Sequence, residues 1–167
     1  MTRSPALILY AALLFAGASL GGCGLHPLYA GGGSGQVSRG LAQIEVPPIE
    51  GQAGWLVRNA LNDRLAHSGA AKYRLDVRLD DKLEGLGLLS DDTIGRERRT
   101  LRARYQLVDI ASGEIVIDAT AGSDAGVDVV SSEYATIAAE QTALENLARE
   151  VAQRISVRLA QHFTATR

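Results

Sequence analysis

The sequence predicts an α+β domain in two layers, with the element order β-α-β-β-β-α. Residues 73–80 and 101–107 alternate strictly between apolar and polar side chains, which indicates strands that bury one face. Residues 134–163 repeat apolar side chains at the i, i+3, i+4 spacing of a helix with one buried stripe. Helices on one side of such a sheet form a two-layer domain. We therefore expect a mostly antiparallel four-stranded sheet with two helices on one face.

The first two predicted elements are bounded by residues that interrupt regular structure. Residues 43–46 are predicted as a short strand that stops at Pro47, because proline cannot donate to a strand ladder. Residues 54–67 are predicted as a helix with apolar side chains along one side. Gly69 follows it, and glycine is favoured just past the end of a helix.

The remaining strands complete the predicted sheet. Residues 109–113 are predicted as a turn and residues 114–121 as a further strand. The side of the alternating strands that faces away from the apolar positions is polar, and we expect it to be solvated. It carries Arg74, Asp76, Arg78, Arg102, Arg104 and Gln106.

The N-terminus has the order of a secretory signal peptide: a positive residue, a short apolar stretch and then small residues. The small residues end at Cys23, the only cysteine, which is a buried filler, a free thiol or an attachment point. Residues 20–23, Leu-Gly-Gly-Cys, resemble a bacterial lipobox, which favours lipid attachment at Cys23. We therefore expect a cleaved signal peptide at 1–22, a lipidated Cys23 with a flexible glycine-rich linker at 23–42, and a folded domain at 43–167.

The composition excludes several classes of function. The full sequence has a net charge of −2, and loss of Arg3 with the signal peptide makes it about −3, without the basic bias of a nucleic-acid binder. No later segment is apolar enough to predict a transmembrane helix. Two or three acyl chains on Cys23 would hold the protein on a membrane, because each buried methylene contributes about 0.8 kcal/mol.

We find no pattern of residues that predicts catalysis, a cofactor or a metal site. His26, His67 and His162 lie in separate segments, none beside a nucleophile or metal partner. The acid pairs at 80–81 and 91–92 are predicted to decorate a strand end and a loop. We expect no cofactor beyond the covalent lipid.

The connection between the two alternating strands, 84–99, is far longer than a hairpin needs. We predict that it forms a projecting tip with an apolar and a basic part. Arginine forks suit phosphates and carboxylates, and neighbouring leucines suit acyl chains or a protein partner. The alternative is that the leucines cover the core and the arginines pair with nearby aspartates. The candidate ligand residues are Arg96, Arg98, Arg99 and Arg102, and the candidate contact residues are Leu86, Leu88 and Leu89.

Several short motifs, in their order along the chain, resemble the LPS-assembly lipoprotein family LptE in its alphaproteobacterial form. They are residues 23–29 (CGLHPLY), the strand-turn-strand at 104–109 and 112–114, and residues 131–140 (SSEYATIAAE) before the final helix. The resemblance covers the mature chain.

This resemblance implies a lipoprotein of the outer membrane that faces the periplasm. Such proteins plug and help to assemble the LptD β-barrel, bind lipopolysaccharide and are not enzymes. The region corresponding to 86–99 is linked to lipopolysaccharide contact in the family. Two other hypotheses stay open: an auxiliary lipoprotein of another envelope system, which would co-purify with other partners, and a periplasmic enzyme, which would need a pocket of converging titratable groups.

Overall fold

A layer of helices covers one face of a four-stranded sheet in the structure, a computed structural model that describes residues 35–88 and 94–165. The predicted α+β fold and its order of elements are confirmed. The predicted signal peptide, Cys23, Leu89 and the acid pair at 91–92 lie outside the described residues. The elements are α1 (Gln36–Ala42), β1 (Ile44–Glu45), α2 (Gly51–Leu65), β2 (Tyr73–Leu88), β3 (Ile94–Asp109), β4 (Ile115–Asp128) and α3 (Glu133–Ala165).

The sheet is mixed, with the strand order β1-β2-β3-β4. Strand β1 runs parallel to β2, with Ile44 opposite Tyr73, whereas the β2–β3 and β3–β4 pairs are antiparallel. A parallel neighbour follows from the helix between β1 and β2, because a helical crossover returns the chain in its original direction. The pairing of β1 is short since Pro47, two residues after Glu45, has no N–H group to donate.

Strands β2 and β3 form one long hairpin, which corrects the prediction of an irregular connection over 84–99. Glu84 is paired with Arg98 and Leu86 with Arg96, so most of that segment continues the ladder. The alternation fades toward this end because the polar side chains of Glu97 and Arg99 occupy the helix-facing positions of β3 there. Each strand has 16 residues, and at about 3.3 Å per residue the hairpin is roughly 50 Å long.

The core lies between the helix-facing side chains of the sheet and the apolar stripes of α2 and α3. The inward side chains of β3 and the stripe of α3 are almost completely buried. These residues are Leu101, Ala103, Tyr105 and Leu107 of β3, and Leu144, Leu147, Val151, Ile155 and Leu159 of α3. Helix α3 has 33 residues and, at about 1.5 Å per residue, matches the length of the hairpin.

Helix α1 occupies a segment that the sequence assigned to the flexible linker, and here that assignment is wrong. Val37 and Leu41 lie one turn apart and are buried. Gly40 meets the ring of Phe163 so closely that a Cβ atom there would lie 2.7 Å from it. The glycine-rich composition of this segment did not indicate a helix, because α1 is stabilised by its packing against the end of α3. We call this end, with α1 and Phe163, the base, and the opposite end, where β2 leads to β3, the tip.

Candidate functional site

A column of arginines runs along β3 on the face of the sheet opposite the helices, which we call the open face. Arg96, Arg98, Arg102 and Arg104 are all exposed and occupy alternate positions of the strand, apart from Thr100 between them. Residues two apart on a strand are separated by roughly 6.6 Å, so the column spans roughly 26 Å from the tip to the middle of the sheet. The predicted polar, solvated face is therefore present and has a basic centre.

Arg96 and Arg104 form ion pairs with Asp128 and Asp118, and three other arginines of the open face form none among the residues that the structure describes. Arg78, Arg98 and Arg102 have no ion pair or side-chain hydrogen bond within the described part of the chain. Arg104 donates to Asp118 over 3.0 Å and lies opposite Arg78 in the ladder. Like charges directly opposite one another destabilise a sheet, which applies to Arg78 and Arg104, whereas Arg98 and Arg102 lie opposite Glu84 and Asp80.

Two glycines of β4 provide space for arginine side chains on the open face. A Cβ atom on Gly122 would come within 3.2 Å of the Arg102 side chain, and one on Gly126 within 3.2 Å of the Arg96 guanidinium. The two arginines therefore lie over the backbone of β4. This contact limits their freedom, which lowers the entropic cost of holding a ligand. The sequence prediction missed both glycines because the predicted strand ended at residue 121, whereas β4 continues to Asp128.

An open groove of about 470 Å³ crosses the middle of this face. Its lining includes Arg78, Arg102 and Arg104, together with the hydroxyl-bearing Thr100 and Thr120. Asp80 and Asp124 also line the groove, but the guanidinium and hydroxyl groups, which donate hydrogen bonds, outnumber these carboxylates. Phosphate and carboxylate groups accept such bonds in pairs from arginine.

Arg99 does not belong to the column, which corrects the predicted cluster. It lies on the helix-facing side, where its Nε and Nη2 atoms donate to the two carboxylate oxygens of Asp81 over 2.9 and 2.7 Å. Its Nη1 atom donates to the carbonyl of Glu140 in α3 over 3.1 Å. The bidentate hydrogen bond that Arg99 donates to Asp81 raises the pKa of Arg99 above its ordinary value. For this residue the alternative interpretation, pairing with a nearby aspartate, describes the geometry.

The predicted contact leucines are only partly described. Leu86 is half-buried and in register with Arg96 at the tip end of the open face. The backbone of Leu88 continues β2, and Leu89 lies outside the described residues. The tip therefore places an apolar side chain next to the outermost arginine of the column.

The predicted absence of a catalytic or metal site remains a prediction. Among residues 35–88 and 94–165 we find no group of three histidine, cysteine or acidic side chains placed to hold a metal ion. The ring of His67 contacts the Ala42 carbonyl over 3.0 Å, and His162 packs against Phe163. In the same described part, no helix is long and apolar enough to cross a membrane.

Comparison with known families and structures gives consistent matches over most of the chain. Residues 41–159 match the family model described as "LptE: Lipopolysaccharide-assembly". The fold resembles a putative lipoprotein from Caulobacter crescentus, at 27% identity and a TM-score of 0.66, over 79% of this chain and 100% of that one. Among curated proteins, no sequence matches the chain.

Two further solved structures share the fold at 14% identity. Rare lipoprotein B from Shewanella oneidensis has a TM-score of 0.55, over 71% of this chain and 92% of that one. A minor lipoprotein from Acinetobacter baumannii has a TM-score of 0.54, over 71% of this chain and 88% of that one.

Proposed function

We propose, since the chain belongs to the lipopolysaccharide-assembly (LptE) family, that it is an outer-membrane lipoprotein that plugs and helps to assemble an LptD-like β-barrel. In this proposal the protein binds lipopolysaccharide during its delivery to the cell surface. The role is binding and assembly, without a catalytic step or a cofactor.

The geometry of the domain is compatible with a lipid anchor at Cys23. The described chain begins at Gly35, directly before α1 at the base. The chain between Cys23 and Gly35 can span at most roughly 40 Å when fully extended. An anchor there would tether the base to the periplasmic face of the membrane and leave the tip free to reach roughly 50 Å away.

The surface of the domain is suited to the interior of a barrel. Outer-membrane barrels have polar interiors, and a plug inside one must expose polar side chains. The open face carries charged or polar residues on all three long strands. This character supports the plug role.

The observation that carries the ligand proposal is the arginine column. Lipopolysaccharide has an anionic head and acyl chains, and the tip end of the column combines Arg96 and Arg98 with the neighbouring Leu86. Because the chain as a whole is slightly acidic, attraction of an anionic ligand must come from this local cluster. We therefore assign lipopolysaccharide contact to Arg96, Arg98 and Arg102, and we exclude Arg99.

This assignment can be tested with full-length protein purified in detergent. We expect simultaneous substitution of Arg96, Arg98 and Arg102 by Gln to weaken lipopolysaccharide binding at least about tenfold, because loss of even one charge-assisted hydrogen bond of about 1.5 kcal/mol has this effect.

The matched control replaces three exposed arginines that lie on helices, Arg39, Arg149 and Arg158, by Gln. It changes the net charge equally and should leave the affinity within about twofold at the same salt concentration. Equal losses in the two triple variants would mean that net charge, and not the column, attracts the ligand.

A further inference from the structure

The tip half of the helix layer exposes large apolar side chains that the core does not use. Trp55 of α2 is 62% exposed, and Tyr134 and Ile137 of α3 are 83% and 56% exposed. Monomeric proteins usually hide such side chains, and a group of them marks a surface that contacts something else. We call these three residues the aromatic patch.

The three residues follow one another along the helix layer because α3 extends past α2. The side chains of Gln52 and Gln141 are joined by a hydrogen bond of 2.9 Å, so the first turn of α2 lies level with the third turn of α3. Trp55 lies one turn beyond this pair toward the base, and Ile137 one turn beyond it toward the tip. Tyr134 continues the same line on the overhanging end of α3.

The overhanging end of α3 is built to be apolar on its outside. Residues 134–139 contain no charged side chain, and only Thr136 among them is buried. The hydroxyl of Thr136 accepts a hydrogen bond from the backbone N–H of Val130, which fixes this end of the helix to the segment that follows β4. The inward side of this end therefore holds the helix in place, while the outward apolar side chains of Tyr134 and Ile137 are exposed and do not contribute to the core.

The charged residues around the aromatic patch indicate which kind of partner it can bind. Glu133, Glu140 and Glu145 lie on the same stretch of α3, and the first basic residue of that helix is Arg149. An anionic membrane surface or a phosphate head would be repelled here. A protein surface with an apolar centre and a rim of Arg or Lys fits, because interfaces concentrate aromatic side chains and arginine around a dry centre.

We infer that the aromatic patch is the surface through which this chain docks onto its barrel partner, a protein whose docking surface is apolar at its centre and basic at its rim. The inference rests on the proposed function, and it divides the molecule between two partners. The aromatic patch contacts the barrel wall, and the open face of the sheet faces the polar interior of the barrel, where it binds the anionic ligand.

Photocrosslinking in cells that make the protein tests this division. A photoreactive phenylalanine analogue is placed at position 55, 134 or 137 of the full chain, and at position 100 or 120 of the open face. We expect a covalent adduct with the barrel from the patch positions and an adduct with lipopolysaccharide from the open-face positions.

Three outcomes would overturn the inference. Barrel adducts from the open face alone, with the barrel still co-purifying, would keep the proposed function and reject the docking surface. Phospholipid adducts from the patch would identify a membrane contact instead. Failure of any barrel to co-purify with the wild-type chain would reject the proposed function and the inference together.

A pair of charge substitutions provides an independent test. Ile137→Glu adds a carboxylate at the centre of the patch, whereas Ile110→Glu adds one at the base, where Ile110 is similarly exposed at 48%. We expect Ile137→Glu to reduce the recovered barrel about fivefold or more and Ile110→Glu to leave it within about twofold. Equal recovery with both variants, at unchanged thermal stability, would contradict the docking surface.

Discussion

Arg98 and Arg99 are neighbours in the sequence but lie on opposite faces of β3. We expect their substitutions to affect two different properties of the protein. Replacing Arg99 by Gln removes a bidentate ion pair with Asp81 and a bond to the Glu140 carbonyl. Arg98 has no partner within the described part of the chain. Arg99→Gln should therefore act on stability and Arg98→Gln on ligand binding.

The size of the stability effect follows from burial. The side chains of Arg99 and Asp81 are only 16% and 25% exposed, so solvent screens the pair weakly. Hydrogen bonds to charged groups contribute about 1.5 to 3 kcal/mol, and loss of Arg99 also leaves the Asp81 carboxylate partly buried without its partner. We expect Arg99→Gln to cost about 2 kcal/mol, which lowers the melting temperature by about 4 to 8 °C for a chain of this length.

Differential scanning calorimetry of the two single variants measures this difference. Arg98→Gln should change the free energy of unfolding by less than about 0.5 kcal/mol, as surface substitutions usually do. A double-mutant cycle with Asp81→Asn should give a coupling free energy of about 1 to 2 kcal/mol between Arg99 and Asp81. Equal melting temperatures for the two arginine variants, or a coupling near zero, would refute the assignment of Arg99 to the fold.

Three further substitutions probe other parts of the structure. Gly126→Val places a side chain where the Arg96 guanidinium lies; because that group is flexible, we expect weaker lipopolysaccharide binding in a titration and a change in unfolding free energy below about 1 kcal/mol. Unimpaired binding would show that the glycine does not position the arginine. Backbone N–H groups of the following turn donate to Asp109 and lower its pKa in the folded protein. The Asp109 carboxylate therefore stabilises the fold at pH values above the pKa that Asp109 has in the unfolded chain. This stabilisation is lost as the pH falls through the lower pKa of the folded state. Asp109→Asn should therefore flatten acid unfolding curves below about pH 4, and an unchanged slope would contradict this role. Gly40→Val forces a branched side chain against the Phe163 ring and should destabilise the protein by about 1 to 3 kcal/mol in urea unfolding, whereas a neutral effect would mean that α1 is not packed on α3.

The sequence was most informative where one face of an element is buried. The alternation at 73–80 and 101–107 and the stripe of α3 exist because the core lies on one side of each, so both the strands and the helix were predictable. Toward the tip this requirement weakens, and the alternation no longer distinguishes a strand from a loop. The hairpin there is maintained by backbone pairing, which side-chain patterns do not record.

The division of the arginines between two faces was present in the sequence but was not used. Leu101, Ala103 and Tyr105 point toward the helices, so continuing the strand backward places Arg99 on that side and Arg98 on the other. When the segment is treated as a loop, the alternation of strand faces no longer applies, and Arg98 and Arg99 are assigned to one cluster. The aromatic patch, in contrast, depends on the offset between α2 and α3, which only the packed structure reveals.

Recovery of the partner from the native membrane tests the central claim most directly. The full-length chain, with a C-terminal tag, is isolated from gently solubilised membranes, and the proteins that elute with it are identified and quantified. The proposed function predicts a large outer-membrane β-barrel protein in stoichiometric amount. Elution without a barrel, or with the subunits of an inner-membrane transporter instead, would contradict the account.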